Sequence, residues 1–498
     1  MHYMRFLFLL SFVFIIIVEL AAQSNKPMRI EVDSRKFDNV YGLSLENEKF
    51  VIIKNDEKKS SRGEDWKLDI YGSTLKKINT KDLFVPRNFV PLKYRLSGDS
   101  ILWLAFAEPS GKAASFLLFR YNFDTGLLWS KYVKGSRKSV FLNFEVTGDK
   151  VIIIGERIND IVEEFEDSEM PYGIQIVSPL MSKYSEVITS KSFNHNSKAI
   201  VIVDVYKGDN VGLYYYEYSN GNIAPIKKIL NIKTNVNIID GSLVESTDGS
   251  LLFMGTYNYE NKRNSNVNKV IANGTFIGKL VNGEFSFFKT NDFSEYRNIF
   301  ATLTATQQKQ IKQKVSKGKD VSLAFKMLTH DKAIKQGDLY VVAAETYFAE
   351  FHYENNFDSR GYMYQNQVFD GYRTTNCILS AYNESGDMVW DNYMHSTEIL
   401  ELSLQENIMV FAEGDSNIVM AYYYNGDIYN KTVNGNEIVF KKSKDRVETT
   451  YNETVISEKY GRLEHWYGKY FMLTGFQNVF GVDGKKKKVF FFNLISFE

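Results

Sequence analysis

The chain has 498 residues, and its 60 Lys and Arg balance 60 Asp and Glu, so the formal net charge is zero. That balance leaves no cationic excess to displace the counterions of nucleic acid, which is therefore not an expected partner. With 37 Phe, 32 Tyr and only 7 Pro the composition favours strands, and a single cysteine excludes an internal disulfide framework.

At the start of the chain Arg5 precedes an apolar run from Phe6 to Val18, broken only by Ser11, and Ala21 and Ala22 follow. A basic start, a short apolar core and small residues predict a secretory signal peptide over 1–22, with a retained signal anchor as the alternative. The apolar run is too short for a bilayer-spanning helix, which needs about 20 residues. No later segment approaches that length, so the remainder, 23–498, is expected to be exported to the periplasm or cell surface and not to span a membrane. Cys377 lies too far from the signal to carry a lipid anchor. Without disulfides, such a chain must be held by an ordinary hydrophobic core.

Strand-like runs then recur from end to end, among them Lys49–Ile53, Ile101–Ala107, Ser115–Tyr121, Lys150–Gly155, Ala199–Val205 and Gly212–Tyr218. Leu251–Tyr257, Leu339–Thr346, Ile418–Tyr424 and Val489–Ile495 continue the series. Asn220-Gly221, Asp248-Gly249, Asn282-Gly283, Asn425-Gly426 and Asp483-Gly484 lie between such runs and predict tight antiparallel hairpins. Strand–turn–strand units recur around Gly126, Gly221, Gly283, Gly386 and Gly426, at spacings of 95, 62, 103 and 40 residues. The two large spacings read as about twice a unit of roughly 40–50 residues, the length of a propeller blade. The predicted fold class is therefore all-β: a β-propeller of seven blades, with eight as the alternative, and one short helical insertion. Met28–Val32 and Val489–Phe497 are expected to complete one blade together. Two β-sandwiches are the competing architecture.

Four segments depart from the pattern. Asp160, Glu163, Glu164, Glu166, Asp167 and Glu169 form an acidic cluster without EF-hand spacing, which reads as a solvated loop rather than a calcium site. Thr304 to Lys314 reads as a short helix opened by a Thr304/Gln307 capping box, with Ile311 and Val315 on one stripe and lysines outside. Tyr347 to Arg373 is dense in aromatics and lies between two strong strands, as a hairpin extension or a loop. Its candidate binding residues are Tyr353, Phe357, Arg360, Tyr362, Tyr364 and Arg373, because Tyr and Arg supply rigid area and directional donors in binding hot spots. Aromatics folded back onto the propeller are the plainer reading of that stretch. Lys485–Lys488 read as edge protection.

Catalytic motifs are not found. The histidines make no His-x-x-x-His or His-Glu-x-x-His pair, and neither a G-x-S-x-G elbow nor a Gly-rich phosphate loop occurs. Cys377, in the apparent strand Cys377–Tyr382, reads as a buried small hydrophobe. Sialidase-like boxes are approached only by Ser246-Thr247-Asp248-Gly249, with the glycine misplaced and no Trp. Gly126 with Trp129 and Gly386 with Trp390 are partial quinoprotein-like copies that read as packing motifs.

Phe193–Ile202, Leu339–Phe348, Tyr382–Trp390, Asn417–Ile428, Lys459–Gln477 and the terminal VFFFNLISF resemble uncharacterised exported β-propeller-like proteins of Bacteroidetes. The resemblance implies export and carries no catalytic residues with it. The resulting expectation is an exported, non-catalytic binding or scaffold protein of the cell envelope. It would act through propeller rims and loops on a protein or glycan, with no cofactor and no metal. The alternatives are a propeller-fold hydrolase acting on carbohydrate or peptide, and a carbohydrate-binding surface protein, for which an exposed aromatic platform would be decisive.

Overall fold

A computed structural model describes residues 28–33, 40–45, 47–59, 63–108, 115–135, 140–147, 150–156, 161–166, 185–193, 198–205, 211–219, 222–223, 227–229, 236–259, 271–317, 323–357, 359–396, 399–447, 454–468, 470–481 and 484–496. The predicted signal peptide lies outside them.

Every strand-like run named above falls inside an observed strand. Among the described residues the strands form eight antiparallel sheets, taken here as blades 1 to 8 around a ring. Blade 1 consists of Val40–Leu45, Lys49–Lys59, Glu64–Tyr71 and Lys77–Val85. Blade 2 runs from Val90–Ser97 to Leu128–Gly135 and gains Ile161–Glu166 at its edge, while the described residues of blade 3 include the strands Val140–Thr147 and Lys150–Glu156. Blade 4 begins at Ser185–Phe193 and blade 5 at Val236–Glu245. Blade 6 contains Phe325–Thr329, Leu339–Phe357, Met363–Tyr382 and Met388–His395, and blade 7 runs from Met409–Glu413 to Glu437–Arg446. Blade 8 orders Thr454–Tyr467, Tyr470–Phe480 and Lys486–Ser496 and is finished by Met28–Asp33, whose register pairs Met28 with Leu494 and Asp33 with Val489.

The ring follows from where the apolar side chains go. Each strand alternates its side chains between two faces, and consecutive blades bury the facing sets against one another. Leu68 and Phe106 belong to the cluster between blades 1 and 2, and Trp103 and Phe144 to the one between blades 2 and 3. Ile152 with Val201, and Ile202 with Phe276, continue around to blade 5. Val342 and Tyr382 pack against Met254, then Leu379 against Met420, and Tyr423 against Phe471. Phe50 and Phe492, with ring centroids 4.6 Å apart, return the series to blade 1. A fully buried Phe or Leu contributes about 1.5–3 kcal/mol, so the stability is spread over eight such seams rather than held in one centre. The two-sandwich alternative has no counterpart in this arrangement.

Local turn chemistry accounts for the spacing of the repeat. Asn282-Gly283 and Asn425-Gly426 have positive φ at both residues (53° and 77°; 52° and 86°), the type I′ geometry that matches strand twist. The 95-residue interval between Gly126 and Gly221 does contain a further blade, blade 3. The 103-residue interval between Gly283 and Gly386 does not contain a skipped blade, which corrects the doubled-unit reading. Blades 5 and 6 are adjacent, and the extra length is a helical insertion plus an elongated hairpin. The insertion holds the helix Ala305–Ser316. Its capping box is formed, with the Thr304 amide donating to Gln307 Oε1 at 2.9 Å and the Gln307 amide donating to Thr304 Oγ1 at 3.3 Å.

Candidate functional site

Blade 6 carries the feature that sets this propeller apart. Leu339–Phe357 and Met363–Tyr382, strands of 19 and 20 residues, stay paired over their whole length, so the aromatic stretch is a hairpin extension and not a loop. Up to Tyr347 the first strand is almost continuously buried; from Phe348 onward it emerges. Ten residues beyond the blade, at about 3.4 Å each, make a two-stranded ribbon of roughly 30 Å. Its base is held by Leu400–Glu401, which pairs with Tyr372 and Arg373. Gly371 is required there: its φ is 146°, and a Cβ would stand 2.7 Å from the Glu401 carbonyl oxygen.

Residues directly opposite one another share a face, so the register sorts the side chains. One face carries the pairs Tyr347↔Thr374, Ala349↔Tyr372, Phe351↔Phe369, Tyr353↔Gln367, Asn355↔Gln365 and Phe357↔Met363. Ring centroids lie 5.7 Å apart for Tyr347–Tyr372, 5.1 Å for Phe369–Tyr372 and 5.4 Å for Phe351–Phe369, which makes a continuous aromatic base. Further out, Tyr353 is 65% and Phe357 68% exposed, and Gln365 Nε2 donates to Asn355 Oδ1 at 3.1 Å. The other face carries Phe348↔Arg373, Glu350↔Gly371, His352↔Val368, Glu354↔Asn366 and Asn356↔Tyr364. Its charges are paired: Arg373 donates to both Glu350 oxygens, and His352 lies 2.6 Å from Asp370 and 3.2 Å from Glu354. The hydrogen bond from Arg373 holds the Glu350 carboxyl below its usual range, and the two carboxylates raise the His352 imidazole.

The six candidate residues are therefore not brought to one place. Tyr353 and Phe357 stand on the uncharged face, Tyr364 and Arg373 on the charged one, and Arg360 and Tyr362 at the tip. The aromatics do not fold back onto the propeller. Phe351, Phe369 and Met363 complete the uncharged face, and strict alternation along each strand was the signal that marks them.

Further polar groups link the blades to one another. Arg95 of blade 2 forks onto Glu145 of blade 3 at 3.1 and 2.9 Å, and Ser190 and Ser192 of blade 4 donate to the same carboxylate at 2.8 and 2.7 Å. On blade 6, Glu345 Oε1 accepts from the Asn407 and Ile408 amides at 2.8 and 2.7 Å and lies 3.0 Å from His330 Nε2. Glu406 accepts from the Asp331 amide at 2.6 Å. Burial pushes the Asp240 carboxyl of blade 5 up to about 7; Asp331 and Glu406 add to the rise, against hydrogen bonds donated by Gly241 and Thr329. Burial alone would lower His330, but the Glu345 hydrogen bond and the Glu406 and Asp331 charges outweigh it and leave the imidazole raised. Glu145 is saturated by its donors and acts as a tie between blades. Asp240 is raised into the range where a carboxyl can exchange a proton near neutrality.

No family model matches the sequence, and no curated protein matches it either. Among solved structures, the polysaccharide lyase Uly1 is similar at 10% identity, with 94% of this chain and 91% of that one covered and a TM-score of 0.34. The β-propeller domain of the Trilobed protease from Pyrococcus furiosus is similar at 8% identity, covering 91% and 96%, with a TM-score of 0.34. A eukaryotic initiation factor is similar at 10% identity, covering 95% and 94%, with a TM-score of 0.38. At TM-scores under 0.5 these likenesses carry no argument about activity, and the propeller assignment stands on the strand ladders and seams.

Other sequence-level candidates resolve simply. Cys377 is fully buried in the seam between blades 6 and 7, where burial raises its thiol well above the ordinary value. Trp390 packs in that same seam, and Trp129 lies against Trp103 at 6.2 Å. Ile161–Glu166 of the acidic cluster is an edge strand on blade 2 rather than a loop, and the cluster's other members lie outside the described residues. Among the described residues no group of three or more His, Cys, Asp or Glu is placed to hold a metal ion, and no helix is long and apolar enough to cross a membrane. Asp240 was missed from sequence; its mark is a carboxylate directly after Ile238 and Ile239.

Proposed function

We propose that this protein is an exported, non-catalytic binding or scaffold protein of the cell envelope whose propeller serves to hold out the blade 6 ribbon. The observation that carries the reading is the ribbon's uncharged face. Several large apolar side chains, Phe351, Tyr353, Phe357 and Met363, stand exposed on a hairpin that contributes nothing to the seams of the ring. Exposed contiguous apolar area of this kind marks interaction sites. Export rests on the basic and apolar start of the sequence. The test replaces Glu354–Gln367 by a two-residue turn and compares the partners retained from an envelope extract by the two proteins. Loss of partners with an unchanged unfolding midpoint is the expected result; an unchanged set overturns the reading.

The hydrolase alternative is favoured by the Asp240 carboxyl, which burial, with the Asp331 and Glu406 charges adding, raises to about 7. Hydrolysis of polysaccharide or peptide substrates that disappears in Asp240→Asn would replace the binding reading with that one.

A further inference from the structure

We infer that the ligand of the ribbon's uncharged face is an extended, uncharged glycan chain; this rests on the binding role proposed for the ribbon and names its partner class. The argument is the sorting of chemistry between the two faces. Glu350, His352, Glu354 and Arg373 all stand on one side, where they neutralise one another together with Asp370. The opposite side, over the described pairs from Phe351↔Phe369 to Phe357↔Met363, has no charged group. It therefore offers nothing to a phosphate, an acidic polysaccharide or an anionic bilayer, each of which is held by cations. It also lacks the arginine that anchors many protein interfaces, since Arg373 is turned to Glu350 on the far side.

What this side does present is an alternation of rings and side-chain amides: Tyr353 and Phe357 on one strand flank Asn355, with Gln367 and Gln365 opposite. A pyranose has the matching character. Its ring faces are C–H surfaces, which pack on the electron-rich faces of aromatic rings, and its rim is hydroxyls, which both donate and accept. An amide likewise both donates and accepts, whereas a carboxylate or guanidinium does only one. Tyr353 and Phe357 are four residues apart on one strand, about 13–14 Å, which a chain of several sugars spans and a single sugar does not. The aromatic base of Tyr347, Tyr372, Phe369 and Phe351 keeps the platform rigid, so little ordering is required on binding.

The experiment is affinity electrophoresis of the intact protein through gels containing barley β-glucan, konjac glucomannan or yeast mannan, with heparin as the acidic comparison. Retardation by at least one neutral polysaccharide, weakened at least tenfold by the Tyr353→Ala/Phe357→Ala double variant and unchanged by Glu354→Gln, is the expected result. Tyr353→Phe should retain binding, and near-ultraviolet circular dichroism checks that the variants are folded. Absence of neutral-glycan binding, or binding that the double variant leaves intact, overturns the inference. Sedimentation of the same proteins separates the two levels of the argument. Self-association lost in the double variant would overturn the glycan while leaving the ribbon as the binding element. A partner set unaffected by ribbon removal would overturn both.

Discussion

Asp240 shows how much one side chain can report about its surroundings. Its carboxyl is raised from 3.8 to about 7, so between those limits the folded protein keeps a proton that the unfolded chain releases. Stability therefore falls as pH rises from about 4 to 7 and levels off above. His330 acts in the same direction but later: its raised imidazole stabilises the fold below about pH 6.5, and that contribution is lost as pH rises through the folded-state value. In thermal unfolding from pH 4.5 to 8, Asp240→Asn should remove the decline below pH 7 and stabilise the protein at pH 7.5 by up to roughly 4 kcal/mol. The later decline should persist, to disappear in His330→Gln. A slope below pH 7 that survives Asp240→Asn would mean that the carboxyl is not the group responsible. The size of the shift was not readable in the sequence, because the charges that raise Asp240, Asp331 and Glu406, lie far from it in chain order. Cys377, by contrast, was legible as a buried hydrophobe, since its strand context alone decides its burial.

At the scale of the element, the ribbon was half legible. Its existence followed from aromatic density between two strong strands, and its exposure needed the structure. The grouping of Tyr353, Phe357, Arg360, Tyr362, Tyr364 and Arg373 ignored that a strand sends neighbours to opposite sides, and register assigned them to two faces and a tip. The bulges between Thr346 and Tyr347 and between Glu350 and Phe351 put register beyond a sequence reading, because each adds a residue to one strand only. The second bulge adjoins Gly371, on which the ribbon's base depends. Gly371→Ala should cost about 1–3 kcal/mol through a backbone conformation closed to side chains and a clash with Glu401. Amide exchange should quicken at Tyr372, Arg373 and Leu400 while the seams of blades 1 to 4 keep their protection. Equal loss of protection throughout would show that the ribbon is not anchored locally. The helix Ala305–Ser316 stands at the other extreme, legible to its cap because the capping box is a contact between residues three apart.

For the molecule as a whole, the β-propeller class was legible because strand runs and turn signals are local. Blade count was less legible, since the insertions that enlarge blade 6 stretch the repeat. Blade 8 joins the two ends of the described chain through one buried side chain. Arg29 donates to Glu31 at 2.6 Å, to Gln477 at 2.7 Å and to Asn493 at 3.3 Å, and its guanidinium lies 4.4 Å from the centre of the Phe491 ring. Arg29→Ala leaves buried acceptors without donors and should cost about 2–4 kcal/mol. Urea unfolding should show the lower midpoint, with limited proteolysis near residue 33 appearing first. A midpoint unchanged within error would mean that the backbone ladder alone holds the joint.

The Met28–Asp33 pairing with Lys486–Ser496 also has a consequence in time. The two partners stand more than 450 residues apart in the chain, so at roughly 5–20 residues per second their synthesis is separated by about 20–90 seconds. Throughout that interval seven blades can form from neighbouring strands while the ring gapes, with apolar flanks of blades 1 and 7 uncovered. Chains cut short before residue 486 never leave that condition, and they are the species from which aggregates of this protein would grow.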